Sequence, residues 1–370
     1  MFAFCPRLIY SLLKNIFPTL RKTQLANLSL GVLGLVRSRS GMESEIAREV
    51  PGSGKHKHRL KRFWRFLSNP RIKPEELRSF WVSWCLRKFT AGKNVLVALD
   101  WTTLPGNIQV LMLAIPYQGR AIPILWHLCL FTDIKDSQNK IEERLIVRLV
   151  NLISSFNLFH RGKGKKLILV ADRGFGRASF IQFLKKRGIS FAIRVKSEVW
   201  IKVRSGKKIL LKDLYLKPNF PYWFEDISFR SDEVVTDVNL AAIFIPRPGK
   251  DPDPWFLITN LKKAKTAINY YLLRFDIEEW FKDLKHQLGI TDLRIRNLKR
   301  VRRLLLTACV AYSFTALIGQ RAKKIRKVVD DLIARGKETA SIIWIALKAI
   351  GKRLLSRQFW KRIWVLGVKP

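Results

Sequence analysis

From Asn94 onward the chain sets short apolar, β-branched runs between polar turns. Asn94-Val-Leu-Val-Ala-Leu-Asp100 is such a run and ends in a carboxylate. Two more follow at 110–117 and 121–130, with Gln118-Gly119-Arg120 between them reading as a hairpin turn. A 3.6-residue period over about 140–155 predicts a helix. Lys166-Leu-Ile-Leu-Val-Ala-Asp172 then repeats the first arrangement, a buried strand closed by an aspartate. A helix near 178–187 and a strand at 190–195 complete an expected order β-β-β-α-β-α-β. Residues 197–260 add strand-like runs at 234–245 and 255–259, broken by Pro246, Pro248, Gly249, Pro252 and Pro254, and read as a separate β-rich insertion. The pattern is helical from Thr266, with breaks near Gly289, Gly336 and Gly351. The first 90 or so residues read as short helices broken at Pro18, 51–54 and Pro70.

Charge changes this picture most. Seventy Lys and Arg stand against 28 Asp and Glu, a net charge of +42. Residues 1–90 contribute +13, 91–260 +11 and 261–370 +18, so the basicity belongs to folded surface and not to a tail. Such a surface calls for a polyanionic partner, nucleic acid or an anionic membrane. The most apolar stretch, about sixteen residues from Leu304 to Gly319, falls short of the roughly 20 a span needs, which favours nucleic acid. Cys5, Cys85, Cys129 and Cys309 lie far apart with no C-x-x-C pair, an arrangement suited to a reducing cytoplasm. Within 55–66, cations alternate with aromatics. Arg59, Lys61 and Arg62 are the expected phosphate contacts, with Trp64 and Phe66 as anchors, although a solvated basic face would read the same way.

The acids carry the chemistry. Ligands of open α/β sheets bind at the carboxyl ends of strands, where Asp100 and Asp172 are expected. On neighbouring strands they could share divalent cations, with oxygen ligands suited to Mg²⁺ or Mn²⁺. Either alone could equally cap a turn. In 268–288, read as one helix at 100° per residue, Tyr271, Arg274, Glu278 and Lys285 share an arc of about 60°. Leu273, Ile277, Trp280 and Leu284 form the opposite, apolar stripe, and Glu279 lies about 100° from Glu278. One helix face thus carries a phenol, a guanidinium, a carboxylate and an ammonium in a row.

That row, Tyr271-x2-Arg274-x3-Glu278-x6-Lys285, resembles the Y-x2-R-x3-E-x6-K signature of DDE transposases of the insertion-sequence family four. Leu257-Ile-Thr-Asn260, Val97-Ala-Leu-Asp100 with Thr102-Thr103, and Ala171-Asp172-Arg-Gly-Phe175 resemble that family too, over about 94–320. The resemblance implies an α/β fold: an RNase H-like catalytic core at 91–196 and 261–320 with the β-rich insertion at 197–260. A helical, basic DNA-end-binding region at 1–90 and a basic helical region at 321–370 would flank it. It implies Asp100, Asp172 and Glu278 as a metal-binding catalytic triad for two Mg²⁺ or Mn²⁺ ions, and Tyr271, Arg274 and Lys285 as contacts to the transposon-end backbone. A Trp of the insertion, Trp223 or Trp255, could hold a flipped base. The implied partners are terminal inverted repeats, target DNA and a second copy in a synaptic homodimer, in a bacterial cytoplasm and without a membrane. Three rival readings stay open: an RNase H-like nuclease that cuts without joining, a non-catalytic DNA-binding protein, and an inactive remnant.

Overall fold

The computed structural model describes residues 6–360 apart from 53, 91–93, 135–136, 156–165, 231, 247–248, 250–252, 326–327, 329, 331, 333–339, 353 and 357. Cys5 and the expected break near Gly336 lie outside the described residues. Five helices open the chain: α1 (Pro6–Ile16), α2 (Lys22–Ser38), α3 (Glu43–Arg48), α4 (His56–Ser68) and α5 (Pro74–Phe89).

An antiparallel meander follows, of β1 (Val95–Leu104), β2 (Ile108–Tyr117) and β3 (Arg120–Leu130). Gln118 (φ 54°) and Gly119 (φ 72°) form the two-residue turn between β2 and β3; both are left-handed, as a turn matching the strand twist requires. Pro123 cannot donate to a ladder and sits at the bulge of edge strand β3. Next come α6 (Gln138–Ser155), β4 (Leu167–Ala171), α7 (Ala178–Lys186) and β5 (Ser190–Val195). Strands β1, β4 and β5 are parallel neighbours, giving the order β3-β2-β1-β4-β5 of an RNase H-like core.

Residues 197–260 depart from expectation. They supply β6 (Trp200–Lys202), β7 (Lys208–Leu210), β8 (Tyr222–Phe229), β9 (Val235–Ile243) and β10 (Trp255–Thr259), but not as a separate layer. Strand β10 pairs antiparallel with β5, Ile258 opposite Ile193, so the core sheet runs on through β10-β9-β8-β6-β7 to ten strands. All five residues of β10 are buried, as a strand covered on both faces of the sheet requires.

The chain closes with α8 (Ala264–Leu272), α9 (Phe275–Lys282), α10 (Leu298–Ala322) and α11 (Ile342–Gly351). By length and composition alone α10 could cross a membrane, yet 89% of its most apolar window is buried inside the protein. It serves as a core helix. Buried Arg303 on α10 donates to the carbonyls of Leu67 (2.9 Å) and Ile72 (2.7 Å), satisfying the end of α4 and tying the N-terminal helices to the core. Gly319 lets α11 approach, since a Cβ there would lie 1.7 Å from the carbonyl oxygen of Ile342.

Candidate active site

Parallel pairing brings the two aspartates together. Leu99 of β1 is in register with Ala171 of β4, so the next residue along each chain is an aspartate. Asp100 does not end its strand, because β1 runs on to Leu104 against β2; it marks where β4 leaves. Asp172 caps the turn that follows, accepting from the Gly174 amide at 2.9 Å, and it also lines a cavity of about 250 Å³. Arg173, Arg194, Tyr271, Arg274 and Glu278 line the same cavity.

The expected single helix over 268–288 is three pieces. Between α8 and α9 the backbone closes i→i+3 bonds, from the Arg274 amide to the Tyr271 carbonyl (2.9 Å) and from Ile277 to Arg274 (3.1 Å). Such bonds wind the chain at about 120° per residue in place of 100°, so the two halves are rotated against each other. Leu272 and Leu273 therefore turn outward, 43% and 42% exposed, and Leu273 leaves the apolar stripe that Ile277, Trp280 and Leu284 still form. A π-turn over Asp283–Gln287 ends the run and carries half-buried Lys285.

The break sends Arg274 inward. Its guanidinium pairs with Glu278 on α9 and approaches Asp100 on β1 at 3.4 Å, so one buried cation spans two of the three acids. Phe275 lies 4.7 Å beneath it. Tyr271 is fully buried, edge-on to Trp255 at 5.2 Å, with no acceptor for its hydroxyl among the described residues. Trp255 is itself buried, whereas Trp223 is half-buried and donates to Glu225 at 2.8 Å. Burial, and next the charge of Asp172, push the Asp100 carboxyl up to about 7, against the pull of Arg274.

The donor set is three carboxylates with no soft ligand, which suits a hard divalent cation. Among the described residues, however, no three His, Cys, Asp or Glu side chains stand close enough to chelate one ion. Arg274 lies where positive charge is required.

Glu279 belongs elsewhere, as the expected geometry has it. It pairs with Lys282 at 2.5 Å and with Arg120 at 3.3 Å, and Arg120 reaches Asp283 at 2.8 Å, which accepts from buried Tyr312. On α4, Lys61 and Arg62 are exposed and Arg59 is half-buried; Arg59 donates to the Gly52 carbonyl and Arg62 to Asn27. Phe66 packs inward, stacked on Phe63. Trp64 is not an anchor. At 43% exposure it joins the cationic face, because the inward stripe runs through 63, 66 and 67.

One participant escaped the sequence reading. Glu142 of α6 is fully buried and accepts from Trp101 Nε1 (2.9 Å), Gln138 (2.9 Å) and Arg177. Arg177 also donates to the Gly174 carbonyl (2.8 Å) in the turn capped by Asp172. Successive strand residues face opposite sides of a sheet, so Glu142 braces from below the strand and turn that present the two aspartates above. An acid among Ile141, Leu145 and Leu149 was the available signal.

Residues 137–314 match a known family, the transposase DDE domain. This is a DDE transposase domain. The matched span takes in Asp172, Glu278 and the Tyr271–Lys285 row, with Asp100 upstream of it. No curated protein matches the chain. Among solved structures, the chain is similar to Marinitoga piezophila Argonaute in complex with 5′ OH guide RNA, at 13% identity and a TM-score of 0.27, over 63% of this chain. It spans 35% of that protein.

Proposed function

We propose that this protein is the transposase of a bacterial insertion sequence, which cuts the element's ends and joins the freed 3′-OH to target DNA. The observation that supports this most is that Asp172 and Glu278 line one cavity inside the transposase-like span, with Asp100 tied to Glu278 through Arg274 and raised by the charge of Asp172. Asp100, Asp172 and Glu278 would hold the metal, Mg²⁺ or Mn²⁺. Bound there, a pair of such ions supplies activation of the attacking oxygen and stabilisation of the leaving one in an in-line displacement.

The chain's own residues do the rest. Arg274 neutralises the acids and, at the cavity wall, orients the scissile phosphate. Lys285, about two turns beyond Glu278, holds the backbone flanking the cut, and Tyr271 with Trp255 fixes the floor on which Arg274 rests. Water as the attacking group cuts; the 3′-OH as the attacking group joins, with one phosphodiester formed for each broken and no ATP. Positioning of this kind is a large share of such catalysis. Residues 1–90, through Arg59, Lys61, Arg62 and exposed Trp64, form the end-binding region. Two copies hold the paired terminal repeats, and the protein works in the cytoplasm.

The test is metal-dependent cleavage and joining of the element's own end sequence. Asp100→Asn, Asp172→Asn and Glu278→Gln should each lower cleavage at least a hundredfold with end binding within about twofold of wild type, while Glu279→Gln keeps most activity. Equal loss in the two glutamate variants would sink the assignment of Glu278. Wild-type protein that cuts well but never joins is a nuclease.

A further inference from the structure

A second cluster of cations is built from elements the acid cavity does not use. At the β3 edge of the sheet, a hollow of about 330 Å³ is lined by Arg78 of α5, His127 of β3, Arg144 and Arg148 of α6, and Arg302 of α10, with Glu75 the one acid among the lining residues. Arg78 is largely buried, its side chain 10% exposed. It donates to the Trp126 carbonyl at 3.3 Å, stands 3.7 Å from Glu75, and keeps a buried Nε with no acceptor among the described residues. Arg302 donates to the Leu128 carbonyl at 3.4 Å. Arg144 and Arg148, one turn apart and exposed, form the mouth, and neither pairs with a carboxylate among the described residues. Four guanidiniums around one half-exposed acid repel one another. The strain registers on Arg78, which burial and then Arg148 pull down to about 10, and on His127, pulled down by burial and then by Arg302.

The cluster does not stop at its mouth. Arg144 and Arg148 also line an adjoining hollow of about 690 Å³, where Lys140 and Arg187 extend the row. Arg187 is held over the ring of Phe183 at 5.5 Å. From Lys140 to Arg148 the helix advances about 12 Å at 1.5 Å per residue. A duplex strand carries a phosphate every 3.4 Å of its axis, so a row of this length reaches more than one phosphate. A lone phosphate or a nucleotide would need the hollow but not the row. Arginine also suits the role, since its planar fork matches two phosphate oxygens at once.

We propose that the Arg78–Arg302 hollow seats a backbone phosphate of duplex DNA, with Lys140, Arg144, Arg148 and Arg187 tracking the same strand, as a DNA contact distinct from both α4 and the acid cavity. This rests on the reading that the protein acts on DNA, and it adds a surface that reading does not require.

The test is equilibrium binding of a labelled duplex, by fluorescence anisotropy across a salt series in metal-free buffer. Arg144→Gln with Arg148→Gln, at exposed positions that leave the fold intact, should flatten the slope of log K against log salt by about two and weaken binding at least tenfold at low salt. The corresponding double Lys variant, with charge retained, should keep the slope. Arg78→Gln should weaken binding while the melting profile shows a folded protein. An unchanged slope in the double Gln variant overturns the proposal. So does tripolyphosphate raising the melting temperature of wild type but not of Arg78→Gln while DNA binding is equal in both, since that makes the hollow a small-anion site. No cleavage is involved: protein that binds through this row yet never cuts overturns the catalytic reading and leaves this one standing. Wild type that binds no duplex at all overturns both.

Discussion

Asp276 shows what a neighbouring acid costs when it is not part of the site. It stands two residues before Glu278, half-buried, and burial first of all pushes its carboxyl up to about 6. A folded-state value above the unfolded one means the proton is held more tightly in the fold, so the group stabilises at low pH and that contribution is lost as pH rises through about 6. Asp276→Asn should therefore be more stable than wild type at pH 8, by about 1 kcal/mol after allowance for solvent screening. The gain should vanish between about pH 6 and 4, read as the difference between urea midpoints. A gain that does not change with pH would show that this charge is not the cause. Glu142 is the opposite case, a buried acid with every partner in place. Glu142→Ala strands the Trp101 and Arg177 donors and should cost about 3 kcal/mol in urea unfolding. Glu142→Gln, which still accepts from Trp101, should recover part of that. Equal loss in both variants would mean that packing, and not the hydrogen bonds, is what Glu142 supplies. Its position on the apolar stripe of α6 was readable in the sequence; its partners were not, because they lie on a strand and a turn that only the tertiary fold brings near.

Local elements were the most legible part of the chain. Strands at 190–195 and 255–259 and the turn at Gln118-Gly119 follow from side-chain pattern and backbone chemistry that act over a few residues. The helix over 268–288 is not one piece because a uniform 100° per residue does not hold across it: burial of Arg274 against Asp100, far away in sequence, is met by tighter winding. Glu278 is still selected over Glu279, since both stand on the same side of the break. The broken geometry separates the roles of the two signature cations. Lys285 on the π-turn can be removed without unbalancing the acids, so Lys285→Ala should lower the ratio of joined to cleaved product severalfold on a pre-nicked end. Arg274→Ala leaves Asp100 and Glu278 without their shared cation and should depress both steps together. Equal loss of cutting and joining in Lys285→Ala would remove it from the retention of the 3′ end.

At the scale of the molecule, +42 is spread over all three parts of the chain, so no single helix should account for binding. Removing Arg59, Lys61 and Arg62 together should flatten the salt slope of end binding by about two to three, at about 0.9 per phosphate, and leave the remainder in place. An unchanged slope would make α4 a solvated face. The class of fold was legible from the strand order, but the joining of β10 to β5 was not, because a pairing across some 60 residues has no local signature. That one uninterrupted sheet also sets a timetable. Asp172 and Glu278 are separated by 105 residues, and β10, which joins the intervening strands to β5, is the last of those strands to be made. At 5–20 residues per second of synthesis, the second acid waits roughly 5–20 s for the third. The cationic helices of the first 90 residues are made earlier still, so a nascent chain carries their positive charge well before Glu278 is made.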